Sequence, residues 1–221
     1  MNWDPLWENI FKESCWGSYP NEELIRFMAR NFYKSPNRKE VKVLEIGCGN
    51  GSNVWYLARE GFSAYGIDGS ETATEMARDR LSGEGLEADL KTGDVVSMFQ
   101  HYPENYFDAV VDIGCLQCNQ LEDVQKIVTN CRVVLKPGGR MFALIVATGS
   151  LGDGSGTQIE SGTYVDISEG PLKDRGLNHF FSRDEVDTVW DGFEDMRIEY
   201  VSRSFNDCAT EYRTWTVDAV A

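Results

Sequence analysis

The chain has 221 residues and a formal net charge of -15, with 21 Lys and Arg against 36 Asp and Glu. That length suits one α/β domain with a core of its own. The charge repels phosphate backbones and anionic lipid, which argues against nucleic acid or a membrane surface as a partner.

No stretch approaches the ~18 consecutive apolar residues of a membrane span. Met1-Asn2-Trp3-Asp4-Pro5 lacks the basic start and apolar core of a signal peptide, so a cytoplasmic protein is expected. The 6 cysteines follow no framework spacing and are expected as thiols. Cys115-x-x-Cys118 is the only close pair, and with His only at 101 and 179 a zinc or redox reading is disfavoured against small pocket-lining thiols.

Trp3, Leu6, Trp7, Ile10 and Phe11 fall on one face of a helix over 3–13, with Asp4-Pro5 as cap and first-turn proline. A second helix is expected from Glu22 to about Tyr33, then a linker at Ser35-Pro36-Asn37-Arg38. From there strands and helices alternate. Val41–Ile46 reads as a strand, Asn53–Glu60 as its helix and Gly61 as the C′ residue. Ser63–Ile67 is the second strand, ending at Asp68, and Ser70 can cap a helix over Glu71–Leu81. Glu87–Lys91 is a weaker third strand and Tyr106–Ile113 a near-continuous apolar fourth, suited to a sheet covered on both faces.

Asn119 with Glu122 reads as a capping box opening the next helix, and Lys136-Pro137-Gly138-Gly139 as a turn into a fifth strand, Arg140–Val146. Residues 148–178 hold seven glycines and no period, the mark of either a functional lid or disorder. Ser182-x-x-Glu185 is a second capping box. The runs Asp195–Ser204 and Glu211–Val220 are too close together for a crossover helix, so they should pair antiparallel.

After the first strand come Gly47, Gly49 and Gly51, with Glu45 just before them. Such a strand-to-helix turn offers backbone N–H groups and a positive helix end to a ligand. A dinucleotide would call for Gly-x-Gly-x-x-Gly; here Ser52 holds the third glycine's place and the extra glycine comes one residue early. The pattern Glu-x-Gly-x-Gly-x-Gly resembles motif I of the class I S-adenosylmethionine-dependent methyltransferases. The βα alternation with a closing hairpin is similar to that family's fold. The likeness covers residues 40–147 in motifs and 182–221 in architecture.

The resemblance implies an α/β fold: a Rossmann-like, doubly wound sheet of seven strands, mostly parallel, with a C-terminal antiparallel hairpin. It implies one domain, with a helical cap at 1–37, a cofactor-binding core at 38–147, a Gly-rich acceptor lid at 148–181, and a helix and hairpin at 182–221. S-adenosylmethionine is the implied cofactor. Glu45, Gly47, Gly49 and Gly51 would cradle its methionyl half, and Asp68, with Gly69 beside it, would accept from both ribose hydroxyls. Asp94 would read the adenine amino group with Val95 against the ring. Asp112 or the backbone of Ile113 would meet the methionyl portion.

The segment Trp16-Gly17-Ser18-Tyr19 is expected to fold over the cofactor, with Tyr19 in contact and Trp3 and Trp7 as either its anchors or an ordinary buried helix face. His179 is the expected general base, where the Gly-rich stretch meets the next helix. Cys115, Leu116 and Gln117 are candidates for the floor of the acceptor pocket, and Tyr164 and Asp166 for substrate contacts. The Asn/Asp-Pro-Pro-Tyr run of base and glutamine methylation is absent after strand four, and so is the Asp-Asn pair of metal-dependent relatives after strand five. No metal is expected. The expected activity is metal-independent, in-line methyl transfer to a small molecule, at a hydroxyl oxygen ahead of nitrogen or sulfur. A nicotinamide-dependent oxidoreductase and a non-catalytic S-adenosylmethionine-binding module are the alternatives.

Overall fold

A computed structural model describes residues 3–14 and 17–221. Seven strands form one sheet: β1 (Lys42–Ile46), β2 (Ser63–Asp68), β3 (Asp89–Thr92), β4 (Phe107–Ile113), β5 (Leu135–Val146), β9 (Glu194–Phe205) and β10 (Thr210–Val220). Their order is β3-β2-β1-β4-β5-β10-β9. Strands β1 to β5 run parallel, whereas β10 lies antiparallel to both β5 and β9. Strands β6 (Thr157–Glu160), β7 (Thr163–Val165) and β8 (Asn178–His179) form a separate small sheet.

Side-chain alternation along β1 builds a core on each face. Leu44 and Ile46 pack with α5 (Leu121–Val134), α6 (Arg183–Val189) and the 3-10 segment Val95–Gln100. Val43 packs on the other side with α2 (Glu22–Asn31), α3 (Ser52–Arg59) and α4 (Glu71–Gly83). Glu45 shares the parity of Val43, so the same alternation that buries valine also buries this carboxylate, at 2% exposure. The strand order reverses between β1 and β4, the switch point where α/β sheets open a ligand crevice at their C-terminal ends.

Local turn chemistry behaves as its residues dictate at several points. Ser70 accepts from Ala73 N–H at the start of α4, and Ser182 and Glu185 form a reciprocal capping box on α6. Lys136–Gly139 bulges out of the β4–β5 ladder between the pairs Phe107↔Leu135 and Ala109↔Arg140. The box expected at Asn119 and Glu122 does not form. Asn119 donates to Cys115 O and Leu116 O instead, and Glu160, 39 residues away, accepts from Leu121 N–H at 2.8 Å. Residues 148–178 are not irregular throughout, since β6, β7 and the start of β8 lie within them. Among the described residues no helix is long and apolar enough to cross a membrane.

Candidate active site

The turn after β1 is shaped by close approach. At Gly47, with φ +63°, a Cβ would strike the Cys115 side chain. Gly51, at φ +76°, caps α3, and a Cβ there would lie 2.6 Å from Ala77 Cβ on α4. Beneath the turn, Glu45 Oε1 accepts from Asn53 Nδ2 at 2.6 Å, and Asn53 Oδ1 in turn accepts from Asn21 N–H at 2.9 Å. Glu45 Oε2 is buried with no hydrogen-bond partner. Burial, with Asp112 and Asp68 nearby, raises this carboxyl to about 8.

Asp68, at the end of β2, is held by two backbone donors: Gly49 N–H to Oδ2 and Ser70 N–H to Oδ1, both 2.8 Å. Burial raises its pKa and these bonds oppose the rise. Asp94, after β3, accepts from Val96 N–H at 3.0 Å and starts the 3-10 turn that places Val95 beside it.

These residues line one cavity of about 660 Å³, with Glu45, Gly47, Gly49, Asp68, Gly69, Asp94, Val95, Ile113 and Cys115 on its walls. Its roof is the N-terminal segment. Trp3 lies against Gly69, and Trp7 and Phe11 of α1 (Leu6–Glu13) also line it. Glu8 docks that helix on α4: it accepts from Ser70 Oγ at 2.5 Å and Thr72 Oγ1 at 2.6 Å, which with Lys12 pull its pKa down to about 2. Residues 17–21 are strapped down by Asn50 Nδ2 to Gly17 O and by Arg80 to Ser18 O. Tyr19 stands at the rim, 83% exposed.

The cavity continues past Cys115 to Gln117, Cys118, Leu144, Leu172, Arg175, Asn178 and Tyr212. Burial raises the thiols of Cys115 and Cys118 and keeps them protonated.

A family model described as a methyltransferase domain matches residues 43–139. The methyltransferase GfsG of Streptomyces halstedii is 35% identical over 114 residues, 51% of this chain and 40% of that protein. A ubiquinone biosynthesis O-methyltransferase of Stutzerimonas stutzeri is 34% identical over 101 residues, 46% of this chain and 42% of that protein. The chain thus aligns with less than half the length of these curated relatives. Among solved structures, one described for the conversion of a disulfide bond into a thioacetal group during echinomycin biosynthesis superposes with a TM-score of 0.72 at 18% identity, covering 98% of this chain and 90% of that one. A SAM-dependent methyltransferase from Methanosarcina mazei gives 0.65 at 20% identity, covering 82% and 92%. Residues 43–139 thus match a methyltransferase domain, and the fold as a whole is that of solved S-adenosylmethionine-dependent methyltransferases.

The residues of this methyltransferase fold suit S-adenosylmethionine. The orphan Glu45 Oε2 is a buried acceptor at the wall of the cavity, matched to an ammonium group. Gly47 and Gly49 leave a cradle that side chains would fill, and Asp68 retains lone pairs beyond its two backbone bonds for a vicinal diol.

Other expected site residues lie elsewhere. Asp112 is fully buried and off the cavity: its Oδ1 accepts from Cys115 N–H at 2.9 Å and Leu116 N–H at 3.0 Å, so it shapes the turn bearing the pocket residues while Ile113 reaches the wall. Gly51 acts through helix packing and does not line the cavity.

His179 is a correction. It is 0% exposed, outside the cavity lining, joined through Nδ1 to Thr163 Oγ1 at 2.7 Å and packed edge-on to Phe181 at 4.5 Å. Burial lowers its pKa, and a base in that position has no path to an acceptor. Tyr164 packs on Phe180 and Asp166 is exposed at φ 54°, so neither reaches the cavity. Leu116 is buried in the core, while Cys115 and Gln117 do line the cavity. Cys15 and Trp16 lie outside the described residues.

Sequence reasoning did not single out Phe11, Leu172, Arg175, Asn178 or Tyr212. The helical periodicity of α1 marked Phe11 as buried without saying against what. The other four carry no local signal, because each is placed by chain crossings distant in sequence.

Proposed function

We propose that this chain transfers a methyl group from S-adenosylmethionine to a hydroxyl oxygen of a small molecule, without a metal. The observation that carries this reading is the continuity of the cavity. One space of about 660 Å³ joins the motif residues to a far end lined by Leu144, Leu172, Gln117, Asn178 and Tyr212. The donor, when bound, supplies an already activated methyl group on a sulfonium.

The protein's share is alignment and exclusion of water. Glu45, Asp68 and Asp94 fix one partner. Leu144, Leu172, Gln117, Asn178 and Tyr212, with the Gly-rich segment as acceptor wall, position the other. Trp3, Trp7 and Phe11 cover the space, and their aromatic faces suit a cationic sulfur. Relatives named as O-methyltransferases support oxygen as the acceptor atom. Among the described residues no three His, Cys, Asp or Glu side chains are grouped to hold a metal ion.

The test supplies purified protein with methyl-labelled donor and panels of phenols, alcohols, amines and thiols, with and without EDTA. Label on oxygen, insensitive to EDTA, is the expected result. Label confined to nitrogen or sulfur refutes the acceptor atom. Thermal stabilisation by nicotinamide dinucleotides and not by S-adenosylhomocysteine refutes the whole reading, since a ligand at a hundred times its Kd should stabilise by about 2.7 kcal/mol.

A further inference from the structure

The outer edge of the main sheet is β9, which pairs with β10 on one side and, among the described residues, with no strand on the other. Parity along the ladder tells which of its backbone groups face outward. Ala147 N–H donates to Arg213 O and Ala221 N–H to Gly139 O, both at 2.9 Å. The odd-numbered residues along β10 therefore bond toward β5 and the even-numbered ones toward β9. Thr214, Thr216 and Asp218 stand opposite Val201, Glu199 and Arg197, so these three bond β10. The N–H and C=O groups of Ile198, Tyr200, Ser202 and Ser204 point out of the sheet. The ladder is broken between Asp218 and Val220, where Asp195 takes φ 47°, so the regular edge runs from Arg197 to Phe205 with Val201 at its midpoint. Neither proline nor lysine blunts this edge, and Tyr200 and Val201 are 58% and 39% exposed on it.

We propose that this edge is a dimer interface, in which two copies of the chain pair their β9 strands antiparallel about a two-fold axis at Val201. The inference is independent of the methyl-transfer reading. Outward-pointing residues must oppose one another across such a pair, so the axis passes through a residue and never between two. An axis at Val201 sets Glu199 of each copy against Arg203 of the other, at the closely spaced non-hydrogen-bonded sites, and the two Val201 side chains meet on the axis. Arg197 then faces Phe205 of the second copy, a cation against an aromatic ring. An axis at Tyr200 opposes Arg197 to Arg203, and one at Glu199 opposes that carboxylate to itself. An axis at Ile198 pairs Arg197 with Glu199 but drives the ladder through the bulge at Asp195. The charges and the extent of the regular edge select the same centre.

The neighbouring charges leave this pairing intact. Glu199 and Arg203 are exposed, and the Arg203 guanidinium lies over its own Phe205 ring at 5.3 Å. On β10, Arg213 is paired with Glu211 and Asp218 with Arg140, so those charges are compensated within one chain. Glu194 and Asp195 lie across the bulge and Asp207 in the hairpin turn, so like charges there limit the length of the pairing and not its centre. The net charge of -15 on each copy opposes approach, but at physiological salt that field decays over ~8 Å, whereas the facing pairs are in contact. An interface of one strand from each copy is small, which makes this a weak, concentration-dependent dimer.

Sedimentation velocity of the full chain at about 100 µM and physiological salt should show a dimer that dissociates on dilution. Glu199→Arg and Arg203→Glu each turn both ion pairs into like-charge contacts and should weaken dimerisation about tenfold. Glu199→Arg also reduces the net charge of the chain, so its weaker association is no effect of overall repulsion. An equimolar mixture of these two variants should associate as the parent does, because every arginine then faces a glutamate of the other chain. Ser202→Pro removes an outward N–H and no bond to β10, and should leave the chain monomeric with an unchanged circular dichroism spectrum. A parent chain that stays monomeric, or that holds only a foreign strand at this edge, overturns the inference. So does a dimer indifferent to the single charge reversals or to Ser202→Pro, or a mixture of the two reversals that fails to associate.

Discussion

Replacing Glu8 with alanine should unlatch the roof of the cavity. The carboxylate joins α1 to the first turn of α4 through Ser70 Oγ, Thr72 Oγ1 and a longer contact from Thr72 N–H at 3.4 Å. Its pKa falls from 4.5 to about 2, which converts to about 3 kcal/mol. The Glu8 side chain is 22% exposed, and solvent screening reduces that to roughly 2 kcal/mol, in line with hydrogen bonds to a charged group. The folded-state pKa is depressed, so this stabilisation is complete above about pH 4.5 and is lost as pH falls toward 2.

Trp7 and Phe11 ride on the same helix, so the loss should appear in ligand binding more than in global stability. Calorimetric titration of Glu8→Ala with S-adenosylhomocysteine at pH 7 should show Kd raised by about tenfold, with thirtyfold as the limit for ~2 kcal/mol. Tryptophan fluorescence of the parent should report the same opening on acidification from pH 5 to 2.5. An unchanged Kd in a folded Glu8→Ala variant would refute the latch.

Two further outcomes follow from the same geometry. Gly51→Ala places a Cβ in a left-handed conformation and 2.6 Å from Ala77, so urea denaturation should register a loss of about 2–4 kcal/mol; a change below ~0.5 kcal/mol would contradict the packing. The buried acids Glu45 and Asp112 are raised to about 8 and about 7, so the folded state favours their protonated forms. Their stability contribution is full below the unfolded values near 4 and declines as pH rises through 7–8. Ligand-free melting temperature should therefore fall from pH 5 to 8.5, and Glu45→Gln should flatten the upper part of that curve.

The cofactor end was legible because its signals are local. Alternation along Val41–Ile46 says which side chains share a face. Three glycines in five residues announce a turn that a backbone must approach closely, and an acid at a strand end lands at the sheet's C-terminal edge whatever follows. Serine and glutamate three residues apart made a real box on α6 because both partners lie within one turn. The same logic failed at Asn119, where the helix starts one residue later with Gln120 at its N-cap, and Glu160 from the small sheet accepts from Leu121 N–H.

His179 is the sharper case. Its position at the junction of the Gly-rich stretch and a helix drew attention to it, but pairing of Thr163 with His179 between β7 and β8 turns the imidazole inward against Phe181. Its neighbour Asn178 reaches the cavity in its place. In a strand, adjacent residues face opposite ways, so an error of one residue is an error of a whole face.

By itself the sequence determined the βα order, the closing antiparallel pair, the glycine turn and the acids at or just past the ends of the first three strands, because each depends on residues within a few positions of one another. Tertiary structure alone decided what roofs the cavity and what lines its far end. The Glu8 latch spans 62 and 64 residues, the Gln117–Asn178 contact spans 61, and Tyr212 enters from the last strand of the sheet. Contacts between distant segments have no period or spacing to read, since they exist only once the chain has brought those segments together.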